Sequence, residues 1–118
     1  MYTVKQAAER LHISEHTLRY YDRQGLMPFL RKSPGGVRAF TEEDLCLIEL
    51  ILCLKNSRMS LSEIRQYIQY QISPADTTQM RKQILLNHKR FLQQQMQELQ
   101  QSLCAIDYKL EHCIGQEC

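Results

Sequence analysis

A long C-terminal stretch of this chain, residues 77–113, contains neither proline nor glycine. Its apolar residues recur mostly at alternating four- and three-residue steps, which is the spacing of a coiled-coil seam. A lone helix of about 37 residues would be roughly 55 Å long, too long to bury this seam within one small domain. We therefore predict a dimerisation helix that pairs with a second copy of the chain. Its seam residues are Leu85, Leu92, Met96, Leu99, Leu103, Ile106 and Leu110.

Two short helices are predicted near the N-terminus. Thr3 is placed to cap the first helix, with Gln6 as its capping-box partner three residues later. Ser14 is placed to cap the second helix, which Gly25 ends in the left-handed conformation. About three residues join the two helices, and the second is rich in exposed polar and aromatic side chains. This pattern predicts a helix-turn-helix whose second helix recognises DNA.

A hairpin is predicted next, because a Pro-Gly-Gly turn at residues 34–36 separates two short segments with β character. Thr41 then opens a third helix that is apolar on most sides, which predicts a central position. Ser60 opens a fourth helix that ends before Ser73. For the third helix, we assign one face to Leu45, Ile48, Leu52 and Lys55. The apolar surface is widened by Cys46, Leu47, Leu50, Ile51, Cys53 and Leu54.

These elements predict a mainly α fold, since only the hairpin has strand character. We expect a winged helix-turn-helix DNA-binding domain with two accessory helices in residues 1–73. A coiled-coil dimerisation helix would follow in residues 77–113. Residues 114–118 would form a tail. A chain of 118 residues is too short for two independent globular domains.

Charge and hydropathy restrict the class of protein. Residues 1–40 carry seven Lys or Arg against three Asp or Glu, while residues 71–118 carry five of each. A basic excess at the N-terminal end fits a surface that faces DNA. No apolar run approaches the roughly 20 residues of a membrane span, and the N-terminus lacks the apolar core of a signal peptide. We expect a cytoplasmic protein without a membrane partner.

The chain has five cysteines, which are odd in number and follow no dense spacing: Cys46, Cys53, Cys104, Cys113 and Cys118. In a reducing compartment they are expected to be free thiols rather than a disulfide framework. The sequence contains no paired carboxylates, nucleophile elbow or phosphate loop at usable spacing, so neither catalytic residues nor a cofactor is predicted. An adaptor that uses only its coiled coil remains an alternative.

In this order, the elements and their motifs resemble the MerR family of bacterial transcription regulators. The resemblance implies a homodimer, paired through antiparallel C-terminal helices, that binds double-stranded promoter DNA used by RNA polymerase. It also implies control by bending and untwisting the operator when an effector acts. The motifs are Thr3-Val4, Ala7-Ala8, Thr17-Leu18-Arg19-Tyr20-Tyr21-Asp22, Gly25-Leu26, Gly36-Val37-Arg38, and Phe40 with Asp44-Leu45.

Arg19 is the candidate for reading a base, because its guanidinium can donate two hydrogen bonds to guanine in the major groove. For Tyr21, core packing and phosphate contact remain equally open. Wing residues would hold the DNA backbone without reading its sequence, and Arg58 lies where the family has a second wing. The predicted DNA-binding set is Thr3, Lys5, His16, Thr17, Arg19, Tyr20, Tyr21, Arg31, Lys32, Arg38 and Arg58.

Within the family, the chain resembles the short, thiol-reactive branch of AdhR and NmlR regulators, which act in aldehyde and electrophile stress. Residues 52–60 resemble the segment that carries the shared cysteine of that branch and place Cys53 at its position. Residues 106–111 resemble the end of the branch's dimer helix. The hypothesis is that Cys53 senses a small electrophile such as formaldehyde. The alternative is that Cys53 is a packed apolar residue.

A metal-responsive regulator is a second alternative, in which His112, Cys113 and Cys118 would supply the ligands. Metal sensors of the family carry a cysteine or serine at the start of the long helix and two cysteines in a loop after it. Here residues 73–80 contain no cysteine. The sequence therefore favours the thiol-reactive branch and predicts no metal site.

Overall fold

The computed structural model describes residues 1–32 and 38–113, except for the side chains of Lys32 and Arg38. It confirms the mainly α fold, with a winged helix-turn-helix followed by a long C-terminal helix. Two compact units are present, Met1–Ile84 and a second that begins at Leu85. Among the described residues, no helix is both long and apolar enough to cross a membrane. The elements are α1 Val4–Leu11, α2 Glu15–Arg23, β1 Arg31–Lys32, β2 Arg38–Ala39, α3 Glu42–Asn56, α4 Leu61–Ile72 and α5 Thr78–His112.

Helix α1 begins with the predicted capping box. The Gln6 backbone N–H donates to Thr3 Oγ1 at 3.2 Å, and the Thr3 N–H donates to Gln6 Oε1 at 2.9 Å. The helix ends at His12, which adopts a left-handed conformation with φ of 57°. Because a non-glycine residue occupies this strained position, the sharp turn into α2 carries a local energetic cost.

Helix α2 begins and ends as the sequence predicts. The Thr17 N–H donates to Ser14 Oγ at 3.0 Å, which satisfies one of the free donors at the helix start. At the other end Gly25 has a φ of 76°. The Gly25 N–H bonds to the Asp22 carbonyl and the Leu26 N–H bonds to the Tyr21 carbonyl, both at 3.1 Å. These two bonds form a Schellman motif, in which glycine avoids the strain of a left-handed backbone.

Strands β1 and β2 pair antiparallel, with Arg31 opposite Ala39. Tyr2 extends this ladder, since its backbone exchanges two hydrogen bonds of 2.8 Å with Phe40. The N-terminus and the base of the wing are thereby joined. The predicted Pro-Gly-Gly turn at residues 34–36 lies outside the described residues.

Helix α3 packs against α1 and α4. Leu45 and Ile48 are buried as predicted, but the assigned face is wrong at its C-terminal end. Leu52 is only partly buried and Lys55 is exposed, whereas Ile51 and Leu54 are buried. The buried residues follow three-residue steps because packing on two neighbours turns the buried surface steadily around the helix axis.

Helix α4 presents Ile64, Tyr67 and Ile68 to the core, as its period predicts. Phe40, which ends the wing, is fully buried, so the hairpin is attached to the helical core. The core of this unit is made of Ala7, Ala8, Leu11, Leu18, Tyr21, Leu26, Met27, Phe40, Leu45, Ile48, Ile51, Leu54, Met59, Ile64, Tyr67 and Ile68.

Helix α5 leaves its apolar seam uncovered in a single chain. The seam residues predicted from the heptad spacing are all exposed, from 37% at Leu92 to 67% at Met96 and Leu99. The exposed fractions of the other four seam residues lie within this range: Leu85, Leu103, Ile106 and Leu110. An exposed apolar stripe of this length indicates that another surface covers it.

Candidate nucleic-acid interface and thiol site

Helix α2 divides cleanly into a core face and an outer face. Leu18 and Tyr21 are buried, whereas His16, Arg19 and Tyr20 are exposed. The exposed positions lie three and four residues apart, so they share one side of the helix. This side carries the polar, cationic and aromatic groups that contact phosphates and base edges.

Arg19 is held on this outer face by its own helix. Its Nη2 lies 3.2 Å from Glu15 Oε1, one turn earlier, and both side chains stay about half exposed. Thr17 is partly buried, and its Oγ1 accepts a hydrogen bond of 2.8 Å from Ser14 Oγ. The start of the recognition helix is therefore ordered before any DNA is bound.

Tyr21 belongs to the core cluster and is 8% exposed. Burial, with a smaller effect from Tyr20, raises the pKa of the Tyr21 phenol. The two rings are tilted against each other with centroids 5.9 Å apart. Of the two roles that the sequence left open for Tyr21, this position supports core packing.

The wing and the first helix place further cations at the surface. Arg31 is exposed on β1, and Lys5 is exposed on α1. In the backbone register, Lys32 lies opposite Arg38. Thr3 is also exposed, but its side chain is engaged in capping α1. The structure thus brings the predicted wing positions together on one short ladder.

Arg58 occupies the sharp turn between α3 and α4. Its φ is 67°, and it stands where a helix end normally has glycine. The Arg58 N–H donates to the Lys55 carbonyl at 3.0 Å, and the Met59 N–H donates to the Leu54 carbonyl at 3.2 Å. The guanidinium is exposed at this turn, so the residue combines a strained backbone with an available charge.

A cluster that the sequence did not predict joins the N-terminus to the start of α3. The Tyr2 hydroxyl donates to Glu42 Oε1, and Arg10 Nη1 donates to the Tyr2 hydroxyl at 2.8 Å. Arg10 also pairs with Glu42 at 3.3 Å, and its guanidinium carbon lies 5.1 Å from the Tyr2 ring centroid. No local signal reveals these contacts, because Tyr2 and Glu42 are 40 residues apart.

Hydrogen bonding shifts the ionisation of this cluster. The hydrogen bond from Tyr2, and then that from Arg10, lower the pKa of the Glu42 carboxyl. The hydrogen bond to Glu42, and then that to Tyr2, raise the pKa of the Arg10 guanidinium. Both directions favour the charged forms, so the cluster is an ion pair with the tyrosine hydroxyl inserted into it.

Cys53 lies on the exposed side of α3 as a free thiol. The helix turn that carries it is well ordered, because the Ser57 N–H donates to the Cys53 carbonyl at 3.1 Å. Ser57 Oγ also donates to the Leu54 carbonyl at 2.7 Å. Cys46 and Cys104 are free and exposed as well. The single chain therefore does not place Cys53 in its packed core.

Cys113 departs from the expectation of free thiols, because it is disulfide-bonded. It directly follows His112, the last residue of α5. His112 stacks on Tyr108, with ring centroids 4.0 Å apart and Nδ1 at 2.8 Å from the Tyr108 carbonyl oxygen. Cys118 of the alternative metal set lies outside the described residues. Within the described part, no three His, Cys, Asp or Glu side chains converge as metal ligands.

The class of this protein follows from two family matches. Residues 2–71 match the MerR HTH family regulatory protein, and residues 47–107 match the MerR DNA-binding family. The chain belongs to the MerR family of regulators. Its winged helix-turn-helix is therefore a sequence-specific DNA-binding module that regulates transcription.

Two MerR-type relatives and one solved structure illustrate the match. A helix-turn-helix transcriptional regulator of Haemophilus influenzae is 38% identical over 109 residues, which cover 92% of this chain and 81% of that protein. AdhR of Bacillus subtilis is 33% identical over 89 residues, 75% of this chain and 64% of AdhR. The structure of HiNmlR, a MerR family regulator lacking the sensor domain and bound to promoter DNA, has a TM-score of 0.74 and 38% identity. The matched region covers 93% of this chain and 87% of the HiNmlR chain.

These MerR relatives confirm the resemblance to the AdhR and NmlR branch. All three are named as regulators, which confirms the prediction of a regulator rather than an enzyme.

Proposed function

We propose that this protein is a cytoplasmic homodimeric MerR regulator that distorts its promoter DNA when a small electrophile, such as an aldehyde, reacts at Cys53. Residues 1–73 would form the DNA-binding domain, residues 77–113 the dimerisation helix and residues 114–118 a tail. RNA polymerase at the same promoter would respond to the changed DNA shape. The observation that carries the effector proposal is the exposed free thiol of Cys53 on α3.

The roles that we propose for individual residues in DNA binding follow from where they lie on the described surface. Arg19 and His16 on the outer face of α2 would enter the major groove, with Tyr20 and Thr17 beside them. Arg31, with Lys32 and Arg38 on the wing ladder, would contact phosphates and position the protein. The remaining proposed phosphate contacts are Thr3, Lys5 and Arg58.

For the dimer, charge along α5 supports antiparallel pairing through the exposed seam. Residues 78–95 contain four Lys or Arg and no Asp or Glu, whereas residues 96–112 contain three Asp or Glu and one Lys. Antiparallel helices place the basic half of one chain beside the acidic half of the other. Parallel helices would place like charges together, which disfavours them.

The proposed chemistry requires only an accessible thiol and a carbonyl. The sulfur of Cys53 would add to the carbonyl carbon of an aldehyde, and the carbonyl oxygen would take up the thiol proton. The product is a hemithioacetal, so no oxidant or cofactor is needed. The adduct would favour one of two DNA-bound shapes through different contacts in each.

The test is transcription in vitro from the protein's own promoter with RNA polymerase, comparing the native chain with Cys53→Ser. Cys104→Ser is the matched control, because Cys104 is another free and exposed thiol. A response to formaldehyde or methylglyoxal that is lost in Cys53→Ser and kept in Cys104→Ser would support the proposal. An aldehyde response that Cys53→Ser retains would contradict it.

Two further outcomes would assign a different function. A response to copper or zinc that survives Cys53→Ser would move the sensor to the His112, Cys113 and Cys118 set, with the disulfide of Cys113 reduced so that its thiol can bind the metal. Sequence-specific binding without any effector response would leave an effector-independent protein, and binding without sequence preference would favour an adaptor that acts through its coiled coil.

A further inference from the structure

The outer face of the recognition helix carries an acidic residue beside its principal cation. Glu15 is the first residue of α2, and Arg19 follows one turn later. Arg19 Nη2 lies 3.2 Å from Glu15 Oε1, and the two side chains are 51% and 42% exposed. A carboxylate on a surface that approaches phosphates is repelled by every DNA sequence. Its presence there therefore suggests a role in choosing among sequences.

We propose that Glu15 is a positioning residue, which holds Arg19 in the orientation that meets a guanine and so sharpens the preference for one operator base pair. The inference rests on the proposed contact between Arg19 and a base. It adds a determinant of specificity that need not itself contact DNA.

The ion pair can order Arg19 without consuming its capacity to bind a base. A guanidinium has five N–H donors, and the contact with Glu15 engages Nη2. The donors that remain suffice for the O6 and N7 acceptors of guanine. A long side chain that is already ordered loses less conformational freedom when DNA binds.

Glu15 itself stands on an ordered part of the helix. The Thr17 N–H donates to Ser14 Oγ at 3.0 Å, and that hydroxyl donates to Thr17 Oγ1 at 2.8 Å. These bonds fix the first turn, from which the Glu15 side chain projects. The carboxylate and the guanidinium then share one helix face, four residues apart.

A simpler explanation is that Glu15 only weakens binding to all DNA through its charge. The two explanations differ in one observable, the preference between bases at the position that Arg19 contacts. A charge effect would change the affinity for every sequence by the same factor. A positioning effect would change the ratio of affinities between duplexes that differ at one base pair. It would be absent from a variant that lacks Arg19.

The experiment is a double-mutant cycle in DNA-binding affinity with Glu15→Gln, Arg19→Ala and the combined variant. An operator duplex is first selected from a random library with the native chain. Affinities are then measured at one salt concentration for that duplex, for duplexes with each base pair replaced, and for random DNA. Glu49→Gln is the matched charge control, because Glu49 is exposed on α3 and is not part of this pair.

We expect the native chain to prefer one G·C pair by roughly five- to 100-fold, and Arg19→Ala to abolish that preference. Glu15→Gln should reduce the preference for this G·C pair by about threefold or more. In the Arg19→Ala background, adding Glu15→Gln should not change the preference any further. Binding of Glu15→Gln to random DNA should be unchanged or tighter, because a negative charge is removed.

The proposal fails if Glu15→Gln keeps the native preference at every position, or changes the affinity for all duplexes equally, as Glu49→Gln is expected to do. If Arg19→Ala retains the full preference, the proposed base contact of Arg19 is itself wrong and the role of Glu15 falls with it. Thermal unfolding of each variant shows that the comparison is made between folded proteins.

Discussion

Arg65 of α4 donates a hydrogen bond from Nη1 to the backbone carbonyl oxygen of Gln24, at 2.8 Å. Gln24 is the C-cap of the recognition helix, where carbonyl groups lack partners within the helix. A positive charge at this end also complements the helix dipole. Arg65 therefore ties α4 to the C-terminal end of the recognition helix.

Replacing Arg65 with Ala should reduce the free energy of unfolding by roughly 1–2 kcal/mol, because a charge-assisted hydrogen bond of a partly buried group is lost. Urea denaturation measures the change. Gln66→Ala is the matched control, since Gln66 is the exposed neighbour on α4 and should change little. Equal stabilities for the two variants would mean that the contact with Gln24 contributes nothing measurable.

Arg58→Gly should stabilise the fold by about 0.5–1 kcal/mol, because glycine accepts the left-handed backbone without the steric penalty of a side chain. His12→Gly tests the same effect at the end of α1, where φ is 57°. Both values come from denaturation of the purified variants. Destabilisation of both would show that their side chains contribute more than the backbone strain costs.

The same two variants separate backbone strain from DNA contact. If the Arg58 guanidinium binds a phosphate, Arg58→Gly should weaken binding to all sequences and lower the salt slope of the affinity by about one. His12→Gly, which removes no permanent charge, should leave that slope unchanged. An unchanged salt slope for Arg58→Gly would remove Arg58 from the proposed interface.

Leu99→Asp should convert the proposed dimer into monomers, since Leu99 is 67% exposed in one chain and lies in the middle of the seam. Burying an unpaired carboxylate in an apolar interface is strongly unfavourable. Gln97→Asp introduces the same charge outside the seam and should leave the dimer intact. Sedimentation equilibrium distinguishes the two states. Monomeric native protein, or a dimeric Leu99→Asp variant, would contradict pairing through this stripe.

The Tyr2, Arg10 and Glu42 cluster should make stability depend on pH. Because the pKa of Glu42 is lowered from its reference value of 4.5, the ionised carboxyl stabilises the folded state above that value. This contribution should be lost as the pH falls through the lower, folded-state pKa. Urea midpoints of the native chain and Glu42→Gln should therefore differ at neutral pH and converge in acid.

Glu43→Gln is the control for this prediction, because Glu43 is the exposed neighbouring carboxylate outside the cluster. The urea midpoint of the Glu43→Gln variant should follow that of the native chain across the same pH range. A constant difference between the native chain and Glu42→Gln at every pH would mean that ionisation of Glu42 is not the source of the stabilisation.

Much of the fold could be predicted because its helix boundaries are encoded locally. Thr3 with Gln6, Ser14 with Thr17 and Thr41 with Asp44 satisfy helix ends through partners three residues away. The long helix followed from the absence of proline and glycine and from its apolar spacing. For the interface, the motif around Arg19 predicts the recognition helix.

Tertiary packing decided what local patterns left open. Periodicity placed Leu52 and Lys55 on the assigned face of α3, with Ile51 and Leu54 in the apolar surface beside it. Packing against α1 and α4 buries Ile51 and Leu54 instead. Tyr21 had two equally open roles until its burial against the core supported one of them. An apolar residue is buried only where a neighbouring element covers it, and that depends on the whole fold.

Caps, periodicity and short motifs act over a few residues, so the sequence alone predicts the helices, the family and the cations that we propose face DNA. Only the tertiary structure placed Arg65 on Gln24, 41 residues away, and Arg10 on Glu42, 32 residues away. Such contacts carry no local signature, since each partner would suit many solvent-exposed positions. They form only after packing of the core has brought their helices together.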